Sequence, residues 1–282
     1  MSQAGAASKR RRRRPPLPLG ARGAQRGGCN PGAQPDDARK AGIVWLFDLD
    51  NTLHDASHAA FGATREAMGA YMVGELGLAP DEAERLRDLY LRRYGATLLG
   101  LQRHHGVHAA HFLEQTHRHP GLEERLRTSA HDRDAVRRLR GRKIIVTNAP
   151  RVYAMRVLVG LRMAHLFERV VSIEDMHILG RLRPKPDRRQ LRHLAVALKV
   201  PPARCVLVED TLANQKAARA VGMRSVWMQR YLGARFRGHL RGGVDAGRNN
   251  DWRPREVSVH PCPSPRYVYA KIRSLQQLLR LR

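Results

Sequence analysis

Two carboxylates stand two residues apart at the end of an apolar run. Asp48 and Asp50 flank Leu49 in WLFDLDNTLH (45–54), whose first residues have the composition of a buried strand. In open α/β sheets, ligands bind beyond the carboxyl ends of the strands, where these aspartates are predicted to lie. We expect the two carboxylates to have different roles.

Three further points of the chain carry polar residues of the kinds that bind phosphate and hard cations. Lys185 stands in RPKPD (183–187), where the prolines favour a stiff, extended loop ahead of a helical pattern. The other two points are pairs that directly follow apolar runs. These pairs are Thr147 with Asn148, and Glu209 with Asp210.

From Ile43 onward, short apolar runs alternate with helical patterns. This alternation predicts an α/β fold, a doubly wound Rossmann-like parallel sheet, formed by residues 41–56 and 129–230. Residues 57–128 look helical throughout and are inserted after the first strand, which predicts a helical cap over the carboxyl edge of the sheet. Asp132 is predicted to cap the next helix. The candidate strands are 43–47, 143–146, 169–173, 205–208 and 224–228.

The two ends of the chain differ from the centre in composition. Residues 1–40 are rich in Arg, Pro and Gly with little apolar surface, which predicts a disordered basic tail. Residues 231–265 have a Gly/Arg/Pro-rich composition typical of a loose insertion. Residues 266–282 then alternate like a strand and continue into a helical pattern with Ser274 at its start, so we expect a terminal strand–helix unit of the core.

The formal net charge of +27 raises the possibility of nucleic-acid binding through the basic tails. We do not favour it, for two reasons. Arg greatly outnumbers Lys, which favours a coding bias towards Arg and Ala over selection for charge. The tails also supply no interleaved aromatic residues on which bases could stack. The three cysteines lie far apart and form no zinc framework, which favours a reducing compartment, the cytoplasm. No apolar stretch approaches about 18 residues, so we expect no membrane span.

Four motifs occur in the order found in the haloacid dehalogenase-like hydrolase superfamily. They read DLDNT (48–52), VTNAP (146–150), RPKPD (183–187) and VEDTLAN (208–214), and the resemblance covers roughly residues 43–230. It implies a phosphomonoester hydrolase in which Asp48 attacks phosphorus and forms an aspartyl-phosphate. Asp50 would protonate the leaving oxygen and then deprotonate the hydrolytic water.

The same resemblance implies a Mg²⁺ cofactor, a cation that prefers oxygen ligands. The side chains of Asp48 and Asp210 and the backbone carbonyl of Asp50 would hold it, while Glu209 is expected outside this set or as a weak ligand. Asp187 is expected only to cap a helix. The residues expected to bind the phosphoryl group are Thr147, Asn148 and Lys185.

The cap segment RRYGATLLGLQRHHGV (92–107) resembles the pyrimidine 5′-nucleotidase subgroup, which implies a nucleoside monophosphate substrate such as UMP or CMP. Tyr94, Gly95, Gly100 and His104 are candidates for lining the pocket; packing or turn roles are the alternative for each. A phosphatase for phosphoglycolate or a sugar phosphate and a phosphomutase remain alternatives. A basic nucleic-acid-binding protein is less favoured, because all the catalytic residues are present. The sequence does not indicate an oligomeric state.

Histidines at 104, 105, 108 and 111 are concentrated in the same cap. Their spacing suits one helical face in part, but Gly106 interrupts it and neither Cys nor a carboxylate completes a zinc set. We therefore predict no metal site there.

Overall fold

The computed structural model describes residues 42–231 and 265–281. The predicted basic tail (1–40), nearly all of the predicted insertion (231–265), and Cys29 and Cys262 lie outside the described residues. Predictions about them, including nucleic-acid binding, stay predictions. Within the described residues, no helix is both long enough and apolar enough to cross a membrane.

Six strands form one sheet in the order β3-β2-β1-β6-β7-β8, and every neighbouring pair is parallel. This topology confirms the predicted doubly wound α/β fold. Two short strands, β4 and β5, pair antiparallel as a separate ribbon. The strands are β1 (Val44–Phe47), β2 (Arg142–Val146), β3 (Arg169–Val171), β4 (His177–Ile178), β5 (Arg181–Leu182), β6 (Cys205–Glu209), β7 (Arg224–Met228) and β8 (Ala270–Ile272).

Helices cover the sheet and also form the segment inserted after β1. Seven of them follow β1 before the chain returns to the sheet at β2, and a 3₁₀ helix, Leu275–Arg280, ends the described chain. The α-helices are α1 (Ala56–Ala59), α2 (Phe61–Leu76), α3 (Pro80–Tyr94), α4 (Thr97–His105), α5 (Ala109–Thr116), α6 (Leu122–Arg125), α7 (Ala130–Arg138), α8 (Arg151–Gly160), α9 (Arg188–Ala197) and α10 (Leu212–Ala220).

The central strand β1 is buried on both faces, which explains why its sequence is apolar without alternation. Trp45 and Phe47 belong to one hydrophobic core, which includes side chains of α7 and α8. Val44 and Leu46 belong to the other, which includes side chains of α9 and α10. Two packed layers of helices therefore hold β1 and the residues that follow it in a fixed position.

The inserted helices have a hydrophobic cluster of their own. Tyr71, Met72, Leu101 and Phe112 are among its buried members, and Ile173 of the sheet domain belongs to the same cluster. The cap therefore packs directly on the chain that follows β3.

Asp132 does not cap the helix that contains it, so that prediction was wrong. Ser129 is the N-cap of α7 and accepts a hydrogen bond from the backbone of His131. The buried Asp132 carboxylate instead accepts hydrogen bonds from the Ser274 hydroxyl (3.0 Å) and the Leu275 backbone (2.9 Å), and it pairs with Arg230. It thereby ties the C-terminal segment to the sheet domain.

Candidate active site

The strand order reverses between β1 and β6, and the candidate site residues lie beyond this point. Phe47 of β1 is in register with Val208 of β6, and the Asp48 backbone donates to the Val208 carbonyl at 2.9 Å. Asp48 and Glu209 therefore reach the carboxyl edge of the sheet side by side. Crevices of this kind, at a reversal of strand order, are where open α/β sheets bind ligands.

Lys185 brings the carboxylates of β1 and β6 together. Its Nζ donates to Asp48 Oδ1 at 2.7 Å and to Glu209 Oε2 at 2.8 Å. All three residues are buried, with Lys185 2% and Glu209 1% exposed. Thr52 adds a hydroxyl donor to Asp48 Oδ2 at 3.1 Å. Neither the Thr52 contact nor the Lys185–Glu209 pair was predicted from the sequence.

The electrostatic balance of this cluster is negative. Burial, followed by repulsion from Glu209, raises the pKa of Asp48 to about 7 even though Lys185 opposes the shift. Burial alone would lower the pKa of Lys185, but attraction from Asp48 and Glu209 raises it above its usual value. The lysine therefore stays charged at neutral pH, and one ammonium faces two carboxylates.

A third carboxylate makes the cluster suited to a divalent cation. Asp48, Glu209 and Asp210 each offer an oxygen, and these oxygens lie within 4.8 Å of one another. Three buried carboxylates against a single lysine match the preference of a hard cation for oxygen ligands and negative charge. Glu209 belongs to this group. Whether it is a weak ligand or lies outside the ligand set stays a prediction, as does the Asp50 carbonyl as a ligand.

The two residues after β2 have different surroundings. The Thr147 hydroxyl oxygen accepts from the Ala149 backbone at 3.0 Å, which leaves its hydrogen available for a phosphoryl oxygen. The Asn148 amide forms a reciprocal pair with the backbone of Lys185, both bonds being 2.9 Å. Asn148 thus holds the lysine loop against β2, and its direct contact with phosphate stays a prediction.

The second aspartate lies beyond the end of β1, where strand alternation no longer applies, and it belongs to a separate hydrogen-bond network. Asp50 Oδ1 accepts from the Tyr153 hydroxyl at 2.8 Å, and His54 Nε2 lies 3.1 Å from the same oxygen. Burial would raise the pKa of Asp50, but the hydrogen bonds and charge of these neighbours outweigh burial and hold it below its usual value. The sequence prediction missed Tyr153 and His54; only the proximity of His54 to the DLDNT motif gave a local signal.

One loop of the cap lies directly over the lysine loop. Gly95 ends α3 with φ +82°, and a Cβ built there would lie 3.2 Å from the Pro186 ring. The adjacent Tyr94 hydroxyl pairs with His104 Nε2 at 2.7 Å. Gly95 is thus next to Lys185 in space, while contact of Tyr94 and His104 with substrate stays a prediction. Gly100 lies inside the cap, where an added Cβ would overlap the Tyr90 ring.

Tyrosine hydroxyls pair with three of the clustered cap histidines. Besides His104, His105 Nε2 lies 2.9 Å from the Tyr90 hydroxyl and His111 Nδ1 lies 3.1 Å from that of Tyr71. These two pairs join α3 to α4 and α2 to α5, so His105 and His111 contribute to the packing of the cap.

Comparisons with known proteins agree with this geometry. Residues 45–228 match the haloacid dehalogenase-like hydrolase family. Phosphate metabolism protein 8 of Saccharomyces cerevisiae is 26% identical over 202 residues, which are 67% of this chain and 61% of that protein. The chain thus spans about three fifths of the length of this curated relative.

Two solved structures share the fold, each with a TM-score of 0.50. A HAD phosphatase from Thermococcus onnurineus is 19% identical, with 84% of this chain and 96% of that chain covered. A dehalogenase is 16% identical, with 86% and 97% covered. The family match spans β1 to β7 and contains all four motifs, and the parallel sheet brings those motifs to one edge. The chain belongs to the haloacid dehalogenase-like hydrolase family.

Proposed function

We propose that this hydrolase is a Mg²⁺-dependent phosphomonoesterase that works through an aspartyl-phosphate on Asp48. The observation that supports it best is the buried contact of Lys185 with both Asp48 and Glu209, beside Asp210. Asp48, Asp210 and the Asp50 carbonyl would hold Mg²⁺, with Glu209 adjacent. When bound, the cation supplies positive charge that offsets the repulsion between a carboxylate and a phosphate dianion.

In the first step, an Asp48 carboxylate oxygen attacks phosphorus and forms a new P–O bond. The bond from phosphorus to the ester oxygen breaks, and its electron pair stays on that oxygen. Asp50 is ionised in the free site, but a bound phosphate dianion favours its protonated form, which gives the leaving oxygen a proton. Lys185 and Thr147 offset the charge on the phosphoryl oxygens. The buried position of Asp48 favours this attack, because a carboxylate shielded from water is poorly solvated.

In the second step, water attacks the phosphorus of the aspartyl-phosphate. Asp50, now ionised, accepts a proton from that water. The bond between phosphorus and the Asp48 oxygen breaks, which restores the carboxylate and releases inorganic phosphate. Asp50 thus acts as acid and then as base, and no other proton carrier is needed.

We infer that a pyrimidine nucleoside monophosphate is the preferred substrate. The groups beneath the cap act on the phosphoryl group, so discrimination between bases falls to the cap. Gly95 lies against the lysine loop through Pro186, which brings the segment resembling pyrimidine nucleotidases next to the phosphate site. A pocket shaped for one ring excludes two fused rings, and it leaves polar groups unpaired when the base is missing.

UMP and CMP are therefore expected to be hydrolysed with a higher kcat/KM than AMP, GMP or phosphoglycolate. Loss of a recognised polar group can cost up to about 10⁴-fold, and we expect roughly 10-fold to 10²-fold here because a mobile cap leaves the site partly wet. The measurement is kcat/KM for all five esters at one Mg²⁺ concentration. A higher kcat/KM for a purine nucleotide or for phosphoglycolate than for UMP and CMP would exclude the pyrimidine assignment and leave the phosphatase chemistry intact.

Metal binding and pH are expected to be linked through Asp48. Because its pKa is raised to about 7, the metal-free folded state holds a proton that the unfolded chain has already released. The free energy of unfolding of the metal-free protein therefore falls as pH rises from about 4 through 7. A bound cation favours the ionised carboxylate and would offset this loss. Asp50 titrates below this window, because its pKa is lowered.

We therefore expect Mg²⁺ to raise Tm by several degrees more near pH 8 than near pH 5. Thermal denaturation with Mg²⁺ or with a chelator, at both pH values, measures the difference. In Asp48→Asn the pH dependence of the Mg²⁺ effect should disappear. An equal Mg²⁺ effect at both pH values in the wild type would contradict cation binding at Asp48.

A further inference from the structure

Two donors from separate parts of the fold hold Asp50. Tyr153 comes from the first turn of α8, 103 residues further along the chain, and His54 follows β1 directly. An ionised carboxylate only accepts hydrogen bonds, so His54 donates through Nε2. Both bonds end on Oδ1, and within the described part of the chain no hydrogen bond reaches Oδ2.

The two donors are themselves fixed. His54 is fully buried and Tyr153 is 2% exposed. The rings of His117 and His119 meet the Tyr153 ring edge to face, at centroid distances of 5.9 and 5.4 Å. Both donors therefore point at Asp50 without having to be ordered during the reaction.

The loop that carries His54 is also pinned. Asn51 adopts φ +57°, and its side chain accepts from the Ser57 backbone at 3.0 Å and donates to the Ser57 hydroxyl at 2.9 Å. The chain from 51 to 57 thus closes on itself around His54. The Asp50 side chain keeps 20% exposure, so its second oxygen stays accessible.

We propose that Tyr153 and His54 are positioning residues that fix Asp50 through Oδ1, so that Oδ2 exchanges the proton. This inference rests on the proposed phosphatase function, in which Asp50 protonates the leaving oxygen. A carboxyl group that can rotate between several orientations delivers a proton less often, so the donors contribute through geometry. Their effect depends on how strongly the leaving oxygen needs a proton.

The test compares two esters of similar size in the full-length protein with Mg²⁺. p-Nitrophenyl phosphate releases a stable phenolate that needs little protonation, whereas benzyl phosphate releases an alcohol that must be protonated as it leaves. The value of kcat/KM covers steps up to departure of the alcohol, so it isolates the acid role of Asp50.

Tyr153→Phe removes the hydroxyl and keeps the packed ring, so the variant is expected to fold. We expect kcat/KM for benzyl phosphate to fall roughly 10-fold to 10²-fold, and that for p-nitrophenyl phosphate to fall less than about 3-fold. Tyr71→Phe is the matched control, because it removes a buried tyrosine's bond to His111 in the cap. It should leave the ratio of the two esters at the wild-type value.

His54 gives a second, independent pair of variants. His54→Gln keeps an N–H donor, so its ratio of kcat/KM for benzyl phosphate to kcat/KM for p-nitrophenyl phosphate should stay near that of the wild type. His54→Leu removes the donor and should lower this ratio, as Tyr153→Phe does. Equal slowing of both esters by Tyr153→Phe, or no slowing, would overturn the proposal, since a purely structural role moves both alike. If the wild type with Mg²⁺ cleaved neither these two esters nor any of the five esters of the substrate panel, the proposed function itself would fall, and this inference with it.

Discussion

Asp48→Asn is expected to abolish turnover while leaving the fold intact. An amide is isosteric with the carboxylate but cannot attack phosphorus, so kcat should fall by more than about 10⁴-fold, as happens when a catalytic nucleophile is removed. The neighbours at this position can still be satisfied, because the Asn oxygen can accept from Lys185 as Asp48 does at 2.7 Å. The measurement is kcat for the best ester of the substrate panel with saturating Mg²⁺.

The stability of this variant separates chemistry from folding. Burial and repulsion from Glu209 raise the pKa of Asp48 to about 7, so ionised Asp48 is a cost to the metal-free fold near pH 8. Removing that charge should leave the circular dichroism spectrum unchanged and Tm no lower than in the wild type without metal. A nucleophile that opposes stability in this way is typical of a functional site.

Asp134→Asn is the control for the loss of an aspartate. Asp134 pairs with Arg137 on the exposed surface of α7. It makes none of the contacts described for the candidate site, so Asp134→Asn should keep wild-type kcat. Covalent phosphate found by mass spectrometry on acid-quenched wild type, and absent from Asp48→Asn, would identify the intermediate directly. Substantial metal-dependent turnover by Asp48→Asn would contradict the nucleophile assignment.

The sheet could be predicted from the sequence because its signals are local. The central strands contain apolar runs that are buried, and polar residues stand at or just after the strand ends, as at Asp48, Thr147 and Glu209. The motifs then implied which of these groups meet. Their meeting depends only on parallel pairing, which brings every carboxyl end to the same edge.

The contacts that the sequence did not reveal join residues far apart in the chain. Tyr153 reaches Asp50 across 103 residues, and Asp132 reaches Ser274 across 142. A buried tyrosine on the apolar face of α8 has the pattern of a packing residue, and an aspartate near the start of α7 has the pattern of a cap. Only the tertiary fold shows what each polar atom binds.

Glu209 illustrates the same limit at short range. Its place beside Asp210 in VEDTLAN is visible in the sequence, but its ion pair with Lys185 requires the RPKPD loop to lie over the end of β6. The reciprocal Asn148–Lys185 backbone bonds produce that placement. The glutamate therefore shares its lysine with Asp48, and we expect the charge of Lys185 to matter for both rate and stability.

Lys185→Ala is expected to reduce kcat/KM by roughly 10²-fold to 10³-fold, the usual cost of removing one preorganised donor from a transition state. The ammonium lies 2.7 Å from Asp48 and 2.8 Å from Glu209, so its loss also leaves two buried carboxylates without their partner. Breaking a buried ion pair typically costs about 3–5 kcal/mol, so Tm in chelator should fall clearly. Mg²⁺ should recover part of this loss.

A double variant distinguishes the two effects of the lysine. Lys185→Ala combined with Glu209→Gln removes one of the uncompensated charges, so we expect it to regain stability over Lys185→Ala without regaining kcat/KM. Lys143→Ala is the control, because this half-buried lysine donates to the carbonyls of Leu139 and Gly141, outside the candidate site, and should retain turnover. Wild-type kinetics in Lys185→Ala would exclude the ammonium from phosphoryl transfer. A rate that recovers together with stability in the double variant would show that Lys185 serves only to hold the two carboxylates in the fold.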